Sequence, residues 1–136
     1  MERPTIIDAS VGVKLVSQEE LSAEADALLL QHIEGNMSVV IPTLFYYEVG
    51  NALRYKNAPQ QLINRAFQDL MQFQFHTQHL DHKLLTNTLN IALQFNLTFY
   101  DAAYLALADA HNGFCITCDK KMLASKHPLV KPLLPS

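Results

Sequence analysis

The sequence lacks the features that mark several protein classes. No apolar run approaches the ~20 residues needed to cross a bilayer. The opening MERPTIIDAS has one basic residue, a short apolar stretch and then an acid, which is not the pattern of a signal peptide. A cytoplasmic protein with no membrane association is therefore expected. There are only two cysteines, Cys115 and Cys118. They give no disulfide framework and fit a reducing compartment. Glycine is scarce, at four residues, and the six prolines are scattered. No repeat, low-complexity tract or Gly/Ser linker marks an internal boundary, so one domain over residues 1–136 is expected. An excess of positive charge is also missing. The formal net charge of −3 argues against a broad electrostatic grip on nucleic acid. It leaves open a site where acids gather around a cation, because the metal then supplies the local positive charge.

What is present is a core. About half of the 136 residues are hydrophobic, at 49%, which is ample for a globular chain of this length. Thr5-Ile6-Ile7 reads as a buried strand ending at Asp8. Ser10 to Ser17 opens a short helix, and Gln18 to Glu34 has apolar residues at helical spacing. Ser38 to Ile41 reads as a second strand. Helices follow from Pro42-Thr43 to about Lys56 and from Gln60 to Gln72. Phe73 to His79 alternates as a half-exposed strand would. Asp81 caps a helix to about Phe95, and Leu97-Thr98-Phe99 is an extended lead-in to an Ala-rich helix over Asp101 to His111. Phe114 to Thr117 is another strand, Asp119 to Lys126 a short helix, and the tail after Pro128 an added edge strand. Short β-branched strands separated by helices predict a parallel sheet of about four to five strands in a three-layer α/β/α sandwich. Such sheets bind ligands beyond their C-terminal strand ends.

Thirteen acids are present, and most lie in polar stretches. Four do not: Asp8 after the Ile6-Ile7 strand, Glu48 within Leu44-Phe45-Tyr46-Tyr47-Glu48-Val49, Asp101 within Phe99-Tyr100-Asp101-Ala102-Ala103-Tyr104, and Asp119 after Phe114-Cys115-Ile116-Thr117-Cys118. An ionised carboxylate in apolar surroundings is costly unless something neutralises it. Taken singly, each has an ordinary reading. Asp101 and Asp119 serve as helix N-caps, Asp8 as a strand-end turn residue, and Glu48 as a partner of Arg54 or Lys56. Taken together, a parallel sheet brings all four to one rim. Like charges so gathered raise one another's pKa, and a divalent cation relieves the repulsion. Oxygen ligands without His or Cys suit Mg²⁺ or Mn²⁺. Such an ion activates a water and stabilises charge on a phosphate.

The pattern resembles the PIN-domain ribonucleases, specifically the VapC-like toxins of bacterial type II toxin–antitoxin pairs. The matching pieces are Ile7-Asp8-Ala9-Ser10-Val11, Glu48-Val49-Gly50-Asn51-Ala52-Leu53, Thr98-Phe99-Tyr100-Asp101-Ala102-Ala103-Tyr104-Leu105-Ala106-Leu107-Ala108 and Thr117-Cys118-Asp119-Lys120-Lys121. The resemblance spans nearly the whole chain. It implies a PIN-like α/β/α domain with a metal-binding acidic pocket that hydrolyses RNA. It implies that Asp8, Glu48, Asp101 and Asp119 match the family acids. Thr117 matches a hydroxyl residue that often supports the site, and Ser10 is placed to do likewise. It further implies a homodimer and a small antitoxin partner. One departure is Cys118, where small residues such as Ala are common.

Within this reading Asp8, Asp101 and Asp119 hold the metal directly or through water, and Glu48 holds a metal or its water or acts as a base. Glu48, Asn51 and Tyr55 share a helix face, so Asn51 supports the site or is simply a surface amide. Thr117 orients Asp119 or touches a water, or is an ordinary strand residue. Lys14, Arg54, Lys56, Lys120 and Lys121 are the candidates to reach phosphates around the rim; Lys14 and Lys56 read as solvated, and Lys120, beside Asp119, is the better candidate. Tyr46, Tyr47, Tyr100 and Tyr104 stack on bases or, as most tyrosines do, pack in a core or dimer. Cys115-Ile116-Thr117-Cys118 is formally C-x-x-C, but strand residues three apart face opposite sides. His76, His79 and His82 lack an obvious fourth zinc ligand. Two rivals remain. One is a PIN-like module kept for partner association without catalysis. The other is a phosphatase of the haloacid dehalogenase type with Asp8 as nucleophile; it wants a second Asp two residues on, where this chain has Ser10.

Overall fold

The computed structural model describes residues 3–134. Five short strands form one all-parallel sheet: β1 (Thr5–Ile7), β2 (Val39–Pro42), β3 (His76–Gln78), β4 (Phe114–Thr117) and β5 (Val130–Pro132), in the order β3-β2-β1-β4-β5. The helices are α1 (Ala9–Val16), α2 (Ser22–Ile33), α3 (Leu44–Arg54), α4 (Gln60–Gln72), α5 (His82–Phe95), α6 (Phe99–Ala110) and α7 (Lys120–Ala124). They cover the sheet to give the three-layer α/β/α sandwich. α1 packs against α2, α3 and α4, while α6 lies on β1, β2 and β4 with α5 along its side.

β1 is central because Ile6 and Ile7 are apolar on both faces and fully buried. The chain builds outward from β1 to β2 and β3, then returns to place β4 on the other side of β1. The reversal of strand order therefore falls between β1 and β4, where open α/β sheets form their ligand crevice. Register fixes what meets there. Ile7 pairs with Ile116, so Asp8 and Thr117 leave their strands side by side. α6 is buried without a break from Ala102 to Ala108. Its alanines let it lie close between the sheet and α5.

The close approach of β1 and β4 begins at Gly113. A Cβ there would fall 2.1 Å from the carbonyl oxygen of Pro4, and backbone cannot swing aside as a side chain can. Gly113→Ala is expected to cost about 1–3 kcal/mol, as overpacking does. Thermal unfolding measures it, and an unchanged Tm would show that the two chains have room to part.

Three boundaries differ from the sequence reading. The second helix starts at Ser22, not Gln18. Ser17 Oγ lies 2.6 Å from both the Val13 carbonyl oxygen and Glu19 Oε2, the Glu19 amide donates to Ser22 Oγ, and Leu21 is left-handed at φ 68°. These local bonds outcompete helix over residues 18–21. The strand expected over Phe73 to His79 is only His76–Gln78, at the sheet edge. Phe73 caps α4, and Gln74 has a positive φ of 57°, so an apparent alternation came from a turn. Phe99 is helical rather than extended, since Thr98 caps α6 through its side chain. Smaller trims shorten α3 to Leu44–Arg54 and α7 to Lys120–Ala124, while α4 runs over Gln60–Gln72 and α5 from its Asp81 cap to Phe95 as expected.

Candidate active site

The rim above the C-terminal strand ends holds a cavity of about 200 Å³, lined by Asp8, Ala9, Ser10, Glu48, Asp101, Tyr104 and Asp119. All four acids singled out in the sequence reach it. Asp8 and Asp119 arrive directly from β1 and β4. Glu48 arrives from the second turn of α3, and Asp101 from the first turn of α6.

Asp8 is the anchor. It is buried, with 4% of its surface exposed, and it caps α1 by accepting from the amides of Ser10 and Val11 at 3.1 and 3.4 Å. Ser10 Oγ also donates to Asp8 Oδ1, and Thr117 Oγ1 donates to Asp8 Oδ2. The protons have a definite direction. Ser10 Oγ accepts from the Cys118 amide at 2.8 Å and Thr117 Oγ1 from the Asp119 amide at 2.9 Å. Each hydroxyl must then give its single proton elsewhere, and Asp8 stands ready to accept both. The network ties the end of β1 to the end of β4 and favours an ionised Asp8. Burial works the other way and prevails. Against the two hydroxyls and the Val11 amide, and with Asp119 adding repulsion, it lifts Asp8 from 3.8 to about 6.

The other acids share this tension. Burial raises the Glu48 pKa, and Asp101 and Asp119 raise it further, while a hydrogen bond from Tyr104 pulls it back. Asp101 is likewise raised by burial and then by Asp119; the cap residue Thr98 and the Lys121 ammonium oppose the rise. Asp119 uses Oδ2 to cap α7 through the Met122 amide at 2.9 Å. The capping reading of Asp119 and its place in the acidic cavity thus hold together, and Asp8, read as a strand-end turn residue, caps α1 while lining the same cavity. Asp101 is not a cap, and Glu48 does not pair with Arg54 or Lys56. Its partner is Tyr104, and Lys56 instead bonds Glu19 at 2.8 Å.

Of the supporting residues, Ser10 and Thr117 lie in the Asp8 network. Asn51 is exposed and lines no part of the cavity. The reason is angular. At about 100° per residue, Glu48 stands roughly 100° from the buried Val49 and Asn51 roughly 160° from it, near the opposite side. Arg54 is exposed, lies over the Tyr55 ring at 5.0 Å and lines no part of the cavity. Lys120 borders an adjoining groove together with Asp119.

Tyr104 is the residue that sequence reasoning undervalued. Its ring is wholly buried, and its hydroxyl donates to Glu48 Oε1 at 2.6 Å. That satisfies a buried phenol and holds the carboxylate. The available signal was the spacing, since Tyr104 is three residues beyond Asp101 on one helix face.

The donor set is all oxygen and negatively charged, which fits a hard divalent cation. It is an acidic pocket rather than a closed cage. Among the described residues, no three His, Cys, Asp or Glu side chains are grouped so as to grip an ion as they stand. Asp8 is occupied by hydroxyls and Asp119 by its cap. Mg²⁺ commonly keeps several of its waters and takes only one or two carboxylates directly, so an open acidic cavity is compatible with it. The histidines at 76, 79 and 82 form no metal cluster either. Also among the described residues, no helix is long and apolar enough to cross a membrane.

Comparison with known proteins agrees with this geometry. The PIN domain family matches residues 5–126. Ribonuclease VapC3 of Pyrobaculum aerophilum is 33% identical over 134 residues, covering 93% of this chain and 98% of that protein. The crystal structure of PAE2754 from the same organism superposes with a TM-score of 0.72 at 24% identity, covering 96% of this chain and 84% of that one. A toxin–antitoxin complex from Klebsiella pneumoniae superposes with a TM-score of 0.70 at 20% identity, covering 96% of this chain and 98% of that one. By the extent of the family match and the identity to its relative, the chain belongs to the PIN domain family.

Proposed function

We propose that this domain is a Mg²⁺- or Mn²⁺-dependent endoribonuclease and the toxin of a type II toxin–antitoxin pair. The observation that carries the reading is the convergence of Asp8, Glu48, Asp101 and Asp119 on one cavity of about 200 Å³. The relative named a ribonuclease supports the activity. The structural neighbour described as a toxin–antitoxin complex suggests a small antitoxin as partner. A homodimer is in keeping with the row Leu85, Leu89 and Leu93 along α5, which is 38%, 50% and 75% exposed.

In this reading the four acids hold the cation, which when bound supplies an activated water and neutralises charge on the phosphate. Ser10 and Thr117 fix Asp8 and partly offset the effect of its burial, favouring the ionised form. Tyr104 restrains Glu48 through Oε1, leaving its other oxygen to hold a water or take its proton. Lys120 stands beside Asp119 in the adjoining groove, where its ammonium can meet a backbone phosphate.

Expression in a bacterium tests the whole reading. The wild type should slow growth, and a variant with all four acids replaced by Asn or Gln should not. The purified wild type should cut RNA with Mn²⁺ or Mg²⁺ and stop when EDTA is added. Equal growth arrest from both proteins would refute the toxin assignment.

A further inference from the structure

A second groove, of about 500 Å³, adjoins the acidic cavity and shares Ser10 and Asp119 with it. Its walls carry Lys14, Lys120 and Lys121, so three of the chain's ten Lys and Arg residues meet beside the acids. Lys14 is not the freely solvated residue that its position in the sequence suggests. It lies on the same face of α1 as Ser10, four residues earlier. Its side chain is only 13% exposed, and Glu19 Oε1 stands 3.7 Å from Nζ. Glu19 is itself held by Lys56 at 2.8 Å and by Ser17 at 2.6 Å. This fixed bracket keeps Lys14 along the groove wall at little further entropic cost. Lys120 and Lys121 follow Asp119 directly on α7, and Lys121 is near enough to favour the ionised form of Asp101.

The two flanks of the acidic cavity differ. On the β4 side lies the lysine groove. On the β2–β3 side lies an apolar pocket of about 300 Å³ with Leu44, Phe99 and Tyr100 on its walls and no Lys or Arg. A strand crossing the cavity would find phosphate partners on one flank only.

We propose that the groove of Lys14, Lys120 and Lys121 is a phosphate-binding track for single-stranded RNA on one side of the cleaved bond. The proposal rests on the ribonuclease reading above and deepens it, by naming which flank grips the backbone and by assigning Lys14 to it. The track positions substrate; it takes no part in the bond-breaking itself.

The test measures binding of a labelled single-stranded RNA by fluorescence anisotropy. It uses the full chain carrying Asp101→Asn, so that the probe survives. Lys14→Gln, Lys120→Gln and Lys121→Gln are added singly and together, with Lys83→Gln on α5 as a control. Each groove substitution should weaken binding, and the triple variant should lose about 10-fold or more. The slope of log K against log salt should fall by about 0.7 for each lysine that contacts a phosphate. Lys14→Arg should retain most of the affinity, and Lys83→Gln should change nothing. Glu19 keeps Lys56 as a partner, so Lys14→Gln should not unfold the domain; a thermal melt checks this. A folded triple variant with wild-type affinity and salt slope would overturn the track. So would displacement of the RNA by polyglutamate as readily as by unlabelled RNA, which would make the groove a seat for an acidic protein segment. If the Asp101→Asn parent binds no RNA at all, the ribonuclease reading itself fails, and that result is distinct from both.

Discussion

Asp101→Asn is expected to abolish metal-dependent RNA cleavage, by at least about 10²- to 10³-fold, while the domain stays folded. The size follows from removing one charged group from a preorganised electrostatic site. The intact fold follows from what Asp101 does not do. Its α6 helix is capped by Thr98, whose Oγ1 accepts from the Asp101 amide at 3.1 Å. The Asp101 carboxylate caps no helix; its local partner is the Thr98 side chain, which an Asn amide oxygen can also accept from. Burial and Asp119 already disfavour its charge, so a neutral isostere relieves repulsion with Glu48 and Asp119 in the metal-free protein. Stability should be unchanged or slightly raised, as read by thermal unfolding with EDTA present. Activity and stability then move independently, which separates a catalytic role from a structural one. Full cleavage by Asp101→Asn, with Mn²⁺ supplied at the wild-type requirement, would remove this residue from the proposed chemistry.

Much of the site could be read from the sequence because parallel topology does geometric work. Once Thr5-Ile6-Ile7 and Phe114 to Thr117 are strands of one parallel sheet, the residues that follow them must share a rim, and Asp8 and Asp119 do. Asp101 was legible as rim-facing but was open to misreading as a cap. Thr98-Phe99-Tyr100-Asp101 carries the spacing of a capping box, which would have moved the cap back to Thr98 and with it the start of the helix. Asn51 failed for a different reason. Sharing a rough helix face with Glu48 is too coarse when the core stripe of Phe45, Val49 and Leu53 decides which residues turn inward. The Tyr104–Glu48 bond joins residues 56 apart in sequence, and no local pattern encodes such a meeting. The lysine groove was legible only as separate rim candidates, with Lys14 read as solvated. Lys14 becomes confined only when Glu19, held by Lys56 from beyond α3, closes against it.

Asp8→Asn should stabilise the metal-free domain at pH 7.5 relative to its effect at pH 4.5, by about 2 kcal/mol. Asp8 is raised from 3.8 to about 6, mainly by burial, and every tenfold change in proton affinity corresponds to about 1.4 kcal/mol. Between those two pH values the folded protein keeps a proton that the unfolded chain has released. The stability this gives is fully present below 3.8 and is lost as pH rises through about 6. Above that, the wild type carries a buried charge and the Asn variant does not. The Asn side chain has a separate cost. Its amide would face a hydroxyl, Ser10 or Thr117, that is already committed to donating. That cost is independent of pH, so it offsets the whole curve and leaves the difference between pH values untouched. Other groups also titrate. His127 is lowered by burial, so its contribution is present above 6.5 and falls away in acid, opposing the Asp8 trend. The quantity to measure is therefore the difference between variant and wild type at each pH, in EDTA, where His127 cancels. A difference that is flat from pH 4.5 to 7.5 would mean that Asp8 carries no buried charge to relieve, and the case for a cation at this rim would lose its physical motive. In the opposite case, Mn²⁺ should raise the wild-type Tm at pH 7.5 and raise that of Asp8→Asn less, because only a ligand that binds the folded state at the charged carboxylates can repay their burial.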